Sequence, residues 1–152
     1  MSEAKEFPPQ KVKEVVIEVA KLLKERGETV SVAETAAGGI ISASILTGWT
    51  PENTASYSGP TPEVVAGMAE NVRAKLGSTY CICESGTAGP GASGEGRNRQ
   101  PGYVALAIAT ENGTYKKDLS TGLGGDREGN MVAFAKEALA FLRDVLKGDA
   151  KL

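Results

Sequence analysis

Residues 31–39 read SVAETAAGG and mark the point where an apolar, β-branched run breaks at two glycines. The residues TVSVA (29–33) alternate as a short strand does, and the apolar stretch after the glycines predicts a helix over 38–47. Two glycines after a hydroxyl residue, at a turn from strand to helix, are typical of anion sites and nucleophile elbows. They also occur in turns that only change the direction of the chain. The surrounding sequence has to separate these two interpretations.

Helices are predicted on both sides of this stretch. A stripe of apolar residues predicts a helix over 10–26 that ends at Gly27. Thr61 and Pro62 predict the cap and the first residue of another helix, and a last helix is predicted over about 127–147. The expected apolar side of that last helix comprises Met131, Phe134, Ala135, Leu139, Leu142 and Leu146.

Strands alternate with these helices. They are predicted over 79–84 and 103–110, and Asn112-Gly113 predicts a hairpin to a further antiparallel strand. This order predicts an α/β protein, a three-layer α/β/α sandwich with a mixed, mostly parallel sheet that includes one antiparallel hairpin. We expect one domain over residues 1–152, with residues 1–9 flexible.

Composition restricts the function classes. The chain is 41% hydrophobic and 24% charged, with a formal net charge of −2, which favours a globular protein without a nucleic-acid or membrane partner. No apolar run approaches the ~20 residues that a transmembrane helix needs. The polar N-terminus lacks the apolar core of a signal peptide. We therefore expect a cytoplasmic location.

The chain contains no histidine, which excludes Ser-His-Asp and Cys-His catalysis and argues against a metal site. Its two cysteines, Cys81 and Cys83, are two positions apart on a predicted strand, where a disulfide between them would be strained. Buried free thiols are expected there. No residue pattern points to a cofactor.

Three glycine-rich turns follow predicted strands: AETAAGG (33–39), ESGTAGPG (84–91) and TGLGGDRE (121–128). Loops at the strand ends of an open α/β sheet meet at a common crevice, where ligands bind. Glycine lets backbone N–H groups approach a phosphate or an oxyanion, and a helix N-terminus favours negative charge. Together the turns predict a binding site for a small molecule that carries a phosphate or an oxyanion, although each alone could be only a connection.

Charged residues in these turns are candidate ligand contacts. Arg97 and Arg99 could bind a phosphate in the bidentate manner, or could be solvated loop charges. Asp126 is expected to cap the last helix, and Arg127 beside it is a candidate ligand contact.

Two carboxylates and two aromatic residues have similarly open interpretations. Glu34 and Glu84 lie where strands end, either as carboxylates that order the crevice or as ordinary strand termini. Trp49 and Tyr57 flank a loop, where they could stack on a base or anchor the loop to the domain.

These motifs, in this order, resemble the CinA C-terminal domain family of nicotinamide-nucleotide amidohydrolases. The family's turn alanine-glutamate-serine-x-threonine-glycine-glycine corresponds to residues 33–39, and its serine-glycine-x-alanine-glycine-proline loop corresponds to residues 85–90. A proline-x-glycine segment before a strand matches residues 101–104, and a glycine-aspartate-arginine helix start matches residues 125–127. The resemblance covers nearly the whole chain.

The resemblance implies an α/β/α fold and hydrolysis of the carboxamide of nicotinamide mononucleotide, with release of ammonia. It places Thr35 at the position of the nucleophile, with Glu34 beside it. With the arginines singled out above, the candidate substrate-binding residues are Gly38, Gly39, Ser85, Gly86, Thr87, Ala88, Gly89, Arg97, Arg99 and Arg127.

This chain departs from the family pattern at two points. Thr35 replaces the serine nucleophile, and its extra methyl group restricts χ1. A family segment that supplies a lysine base has no counterpart, because no lysine lies between Lys24 and Lys75.

Three functions follow from these departures. The chain could bind the nucleotide with weak, altered or lost hydrolysis. It could be an active amidohydrolase that uses Thr35 with another base, such as Glu34 or a water held by Glu84. It could also be an interaction module, and the long glycine-rich loop leaves room for a homo-oligomer in which subunits complete each other's sites.

Overall fold

A computed structural model of the chain describes residues 9–34 and 55–151, with only the backbone of Glu34. The predicted helix over 38–47, the predicted flexibility of residues before Pro9, and the predicted roles of Thr35, Gly38, Gly39 and Trp49 lie outside these residues.

Three helices have the predicted positions: α1 is Gln10–Arg26, α2 is Pro62–Leu76 and α3 is Arg127–Lys147. Gly27 closes α1 with a φ of 63°, in the left-handed region that glycine adopts most readily. The Thr61 hydroxyl accepts a hydrogen bond from the Val64 N–H at 3.2 Å, so the predicted cap of α2 is confirmed.

The described strands form one mixed sheet in the order β1-β2-β3-β4. Their bounds are Val30–Glu34, Tyr80–Gly86, Tyr103–Thr110 and Gly113–Ser120. The predicted hairpin from β3 to β4 is confirmed.

The expectation of a mostly parallel sheet is wrong for these strands. Only β1 and β2 pair in parallel, whereas β2 and β3, like β3 and β4, are antiparallel. A parallel neighbour of β2 would need a crossover back across the sheet, usually by a helix. The segment between β2 and β3 contains only the 3₁₀ turn Arg97–Arg99 and returns the chain at the same edge.

Helices cover both faces of the sheet, as the layered α/β/α fold predicts. On one face, α1 and α3 pack against Ile82, Leu106 and Ile108. On the other face, α2 packs against smaller side chains that include Cys81, Cys83 and Ala107. Successive strand residues point to opposite faces, which explains this division of large and small residues.

The apolar side of α3 differs from the prediction at its first turns. Met131 is 46% exposed and Ala135 is also exposed, while Ala138 and Phe141 are buried instead. The buried side of α3 begins at Asn130 and continues to Phe134, four residues later. Met131 and Ala135 each follow one of these residues, and on a helix of 3.6 residues per turn they are rotated away from the buried side. Because Asn130 is polar, the sequence did not identify it as a buried position, and the buried side of α3 was predicted in the wrong place.

Both cysteines are free and fully buried, as expected. Burial raises the pKa of each thiol above its ordinary value. Among the described residues, no helix combines the length and the apolar character that a membrane crossing requires.

Candidate functional site

Several strand ends meet at one edge of the sheet, which we call the loop edge. The last residue of β1, Glu34, is paired with Glu84, and β2 ends two residues later. Tyr103 at the start of β3 is paired with Ser120 at the end of β4. The segments 87–102 and 121–126 therefore leave the sheet at the same edge, and β1 ends there too.

The second and third glycine-rich turns contact each other, as the prediction that these turns meet at the strand ends requires. The Asn130 side chain donates to the carbonyl oxygens of Ala88 at 2.9 Å and Gly124 at 2.8 Å. Arg127 donates from its guanidinium to the carbonyl of Gly89 at 2.8 Å. A Cβ atom at Gly125 would lie 2.9 Å from the Pro90 carbonyl oxygen, so glycine permits this close approach of backbones.

The loop of residues 87–102 is closed by its own backbone. The N–H of Thr87 donates to the Tyr103 carbonyl at 2.9 Å, and the N–H of Gly102 donates to the Thr87 carbonyl at 2.7 Å. Inside the loop, the hydroxyls of Thr87 and Ser93 lie 3.2 Å apart. Because Ser85, Thr87 and Ala88 are also buried, the start of this loop is part of the protein interior.

Arg97 lies over the outer strand. Its guanidinium is 2.8 Å from the carboxylate of Asp118, and its central carbon is 5.3 Å from the centre of the Tyr103 ring. Burial, followed by the nearby Asp118 carboxylate, raises the pKa of Tyr103 to about 12. Arg97 thus fastens the loop to β3 and β4.

Arg99 connects the same loop to the segment before α2. It donates to the carbonyl oxygens of Ser58 at 3.0 Å and Ser93 at 3.1 Å, and its guanidinium lies 5.9 Å from the Tyr57 ring centre. Asn98 adds a bond to the Pro60 carbonyl at 3.2 Å. Arg97 and Arg99 therefore both bond within the protein, although the Arg97 side chain is 64% exposed, and their contact with a ligand stays a prediction.

The start of α3 lies beside these loops. The Asp126 carboxylate accepts a bond from the Gly129 N–H at 3.0 Å, which confirms Asp126 as the helix cap. Arg127 is exposed at the first helical residue. An exposed guanidinium at a helix N-terminus, beside glycine-rich backbone, is chemically suited to an anion.

Acid and base candidates are distributed unevenly. Glu84 is 7% exposed and lies on the loop edge next to the end of β1. Lys75 lies in the last turn of α2, shortly before β2 begins, and therefore at the opposite edge of the sheet. Lys75 is therefore remote from the loop edge.

Asn130 is the residue of this region that the sequence interpretation missed. Its side chain is fully buried, with three hydrogen bonds to neighbouring segments. The available signal was its spacing: Asn130 is four residues before Phe134, on the inward line of α3. A buried amide at such a position needs hydrogen-bond partners, and only the loops can supply them.

The fold and this edge define a class: a layered α/β protein whose glycine-rich loops gather at strand ends beside a helix N-terminus. The CinA C-terminal domain family model matches residues 47–146, about two thirds of the chain. The chain belongs to this family.

Individual relatives are distant. A CinA-like protein of Shewanella piezotolerans is 29% identical over 129 residues, which cover 69% of this chain and 30% of that protein. A CinA-like protein of Prochlorococcus marinus is 32% identical over 120 residues, covering 62% of this chain and 27% of the relative. The chain thus spans about a third of the length of the curated relatives that it matches.

Solved structures with the same fold include proteins of enterobacteria. A CinA superfamily protein from Klebsiella pneumoniae has a TM-score of 0.77 at 21% identity, with 91% of this chain and 99% of that chain covered. A competence or damage-inducible protein from Enterobacter asburiae has a TM-score of 0.75 at 21% identity, with coverage of 89% and 98%. At such identities the likeness establishes the fold alone.

Proposed function

We propose that this chain binds a nicotinamide ribonucleotide at the loop edge and hydrolyses its carboxamide weakly or not at all. The observation that carries the proposal is the contact between the two glycine-rich turns beside the start of α3. These turns match the family motifs on which the resemblance rests, at residues 85–90 and 125–127.

The chemistry of the edge favours a phosphorylated ligand. Arg127 uses one N–H for the Gly89 carbonyl, and a guanidinium carries five donors in a planar fork that suits phosphate. The dipole of α3, a helix of 21 residues, adds favourable potential for an anion at its N-terminus. The protein's net charge of −2 does not attract anions, so recognition has to be local.

Hydrolysis needs more than this edge provides. An amide requires a nucleophile, a base that later protonates the leaving amine, and donors for the oxyanion. Thr35 is the candidate nucleophile, and Lys75, the first lysine after it, lies at the opposite edge of the sheet. General acid-base catalysis typically contributes ~10²–10⁴-fold to the rate of such a reaction. We therefore expect the chain to bind the nucleotide but to hydrolyse it slowly.

One observation favours the alternative of an active amidohydrolase. Glu34, the last residue of β1, is the register partner of Glu84 on the adjacent parallel strand β2, and Thr35 follows Glu34 directly. A carboxylate or a water that it holds could then act as the base near Thr35. Ammonia release is the measurement that separates the two proposals.

Binding is tested by thermal unfolding with nicotinamide mononucleotide. A ligand that binds only the folded protein at ~100 times its Kd adds ~2.7 kcal/mol of stability, which raises Tm. Arg127→Ala should weaken affinity about tenfold to a hundredfold, since a hydrogen bond to a charged group contributes ~1.5–3 kcal/mol.

Arg73→Ala is the matched control for this binding experiment. Arg73 also donates to a backbone carbonyl, that of Thr79 at 2.9 Å, but at the opposite edge of the sheet. It should leave affinity unchanged. If nicotinamide mononucleotide does not shift Tm, and adenine nucleotides do not either, the proposed function is wrong and an interaction module becomes the better account.

Turnover is tested by ammonia release from nicotinamide mononucleotide. We expect little or no release, and we expect Thr35→Ser to raise it little, because the missing base would still limit the reaction. Robust release that Thr35→Ala abolishes would instead establish the active amidohydrolase.

A further inference from the structure

Asn130 connects the segments 87–102 and 121–126 of the loop edge through one buried carboxamide. Its two N–H groups go to the Ala88 and Gly124 carbonyls, at 2.9 and 2.8 Å. Its oxygen accepts from the Thr121 hydroxyl at 2.5 Å. A Cβ atom at Gly102 would lie 3.3 Å from that same oxygen, so the start of β3 also packs on the amide.

We infer that Asn130 is a positioning residue that fixes the distance between the 87–91 turn and the 121–125 turn. It sits on the first helical turn of α3 and is fully buried. The other buried side chains of the α3 core line are apolar, namely Phe134, Ala138, Phe141, Leu142 and Leu146. An apolar residue would fill this place equally well if packing were the only requirement.

The donors and acceptors at this place match a carboxamide and no other common side chain. Two carbonyl oxygens face the nitrogen, and one hydroxyl faces the oxygen. Aspartate would direct an acceptor at the two carbonyls, and leucine would remove the bonds that Asn130 makes with all three groups.

The bonds of Asn130 to the two turns lie in the protein interior, whereas the bond of Arg127 to Gly89 lies at the surface. The Arg127 bond to Gly89 is exposed to solvent, where a hydrogen bond constrains geometry weakly. Without the amide, the two turns lose their buried connection, and the backbone groups that would meet a ligand lose their relative placement. Only the effect on ligand affinity rests on the proposed function, because the effect on the turns exists without any ligand.

The experiment compares Asn130→Asp with Asn130→Leu in protein labelled with ¹⁵N-glycine. Amide resonances of Gly89, Gly124 and Gly125 report on the two turns, while Gly67 and Gly148 report on distant helical positions. The chain contains no histidine, so no side chain with an ordinary pKa titrates between about pH 5 and 8.

At pH 8 both variants should shift the resonances of the turns. At pH 5 the Asn130→Asp spectrum should return toward that of the unsubstituted protein, since burial against two carbonyl oxygens raises the pKa of the new carboxyl, and its protonated form donates one bond. Asn130→Leu should not respond to pH. Relative to the unsubstituted protein at the same pH, affinity for nicotinamide mononucleotide should fall at least tenfold in both variants at pH 8 and recover at pH 5 only in Asn130→Asp. The reference at the same pH is needed because the ligand's phosphate has its second pKa at about 6.

Two controls separate positioning from general destabilisation. Asn112→Asp makes the same chemical change in the β3–β4 turn, at the opposite edge of the sheet, and should show no recovery of this kind. Thr121→Val removes the bond to the Asn130 oxygen and also the bond that the Thr121 hydroxyl accepts from the Leu123 N–H, and it keeps the test usable if the Asn130 variants do not fold. Only the first of these bonds leads to the other turn, so the variant should shift Gly89 more than Gly67.

Three outcomes would overturn the inference. The turn resonances could remain unchanged in variants that fold, both Asn130 variants could change identically at pH 5 and 8, or the shifts could spread evenly to Gly67 and Gly148. If the unsubstituted protein does not bind nicotinamide mononucleotide, the proposed function fails, and the resonances of the ligand-free protein still decide the role of Asn130.

Discussion

At the scale of single residues, Gly86 shows how closely the loop edge is packed. A Cβ atom there would lie 2.5 Å from the Tyr103 carbonyl oxygen and 3.0 Å from a ring carbon of Phe134. Gly86 ends β2, and its neighbours belong to β3 and to the buried side of α3. Its small size is therefore a requirement of packing, independent of any contact with a ligand.

We predict that Gly86→Ala destabilises the protein by ~1–3 kcal/mol, because an added methyl group in a filled interior forces its neighbours to move. Gly67→Ala is the control: it lies within α2, and a Cβ atom there would meet nothing within 4 Å. That change should stabilise the protein by ~0.5–1 kcal/mol. Urea unfolding measures the free energy of unfolding of both variants. If Gly86→Ala and Gly67→Ala changed it equally and in the same direction, this account of packing would be contradicted.

Single residues also explain why the sequence predicted the site incompletely. The glycine-rich turns were recognisable because glycine spacing is visible in the sequence. The bonds of Arg97 and Arg99 within the protein could not be predicted, because their partners Asp118 and Ser58 are distant in sequence. The role of Asn130 could not be predicted because its side chain donates to backbone carbonyls, which every residue carries.

At the scale of elements, α1 and α3 are joined by an ionic group on their outer faces. Lys147 and Arg143 both approach the Glu18 carboxylate, and Lys147 is hydrogen-bonded to it. The hydrogen bond from Lys147, the leading cause, holds the pKa of Glu18 below its ordinary value of 4.5. A carboxyl whose pKa is lower in the folded state stabilises the protein above that ordinary value, and this contribution disappears as the pH falls through the folded pKa.

We predict that Glu18→Gln lowers Tm slightly at pH 7 and that the difference from the unsubstituted protein vanishes as the pH falls well below 4.5. Thermal unfolding across this range measures it. The control is Lys21→Ala, which removes an exposed pair with Glu25 at 3.8 Å and should change Tm little at any pH. A difference for Glu18→Gln that grows on acidification would contradict the assigned direction of the pKa shift.

The elements were more predictable than their arrangement. Caps such as Thr61 and Gly27 are local signals, so helix bounds follow from the sequence. Strand direction depends on what lies between strands, and the loop of residues 87–102 is long enough to suggest a crossover, although it folds back on itself. The loop is closed by backbone hydrogen bonds of Thr87 and Gly102, and backbone bonds do not require particular side chains that a sequence would show.

At the scale of the whole molecule, the two edges of the sheet differ in chemistry. The loop edge holds glycine-rich backbone, Arg127 and the buried Glu84. The opposite edge holds short hydroxyl side chains that bond to each other, such as Ser31 and Ser78 at 2.7 Å. If a nucleotide binds as proposed, the first edge should respond and the second should not.

The most direct test is an NMR titration of ¹⁵N-labelled protein with nicotinamide mononucleotide. We predict saturable shifts of backbone amides in residues 84–91 and 121–128, with residues 27–29 and 77–79 unchanged. Contradictory results would be unchanged spectra at millimolar ligand or shifts confined to the opposite edge of the sheet.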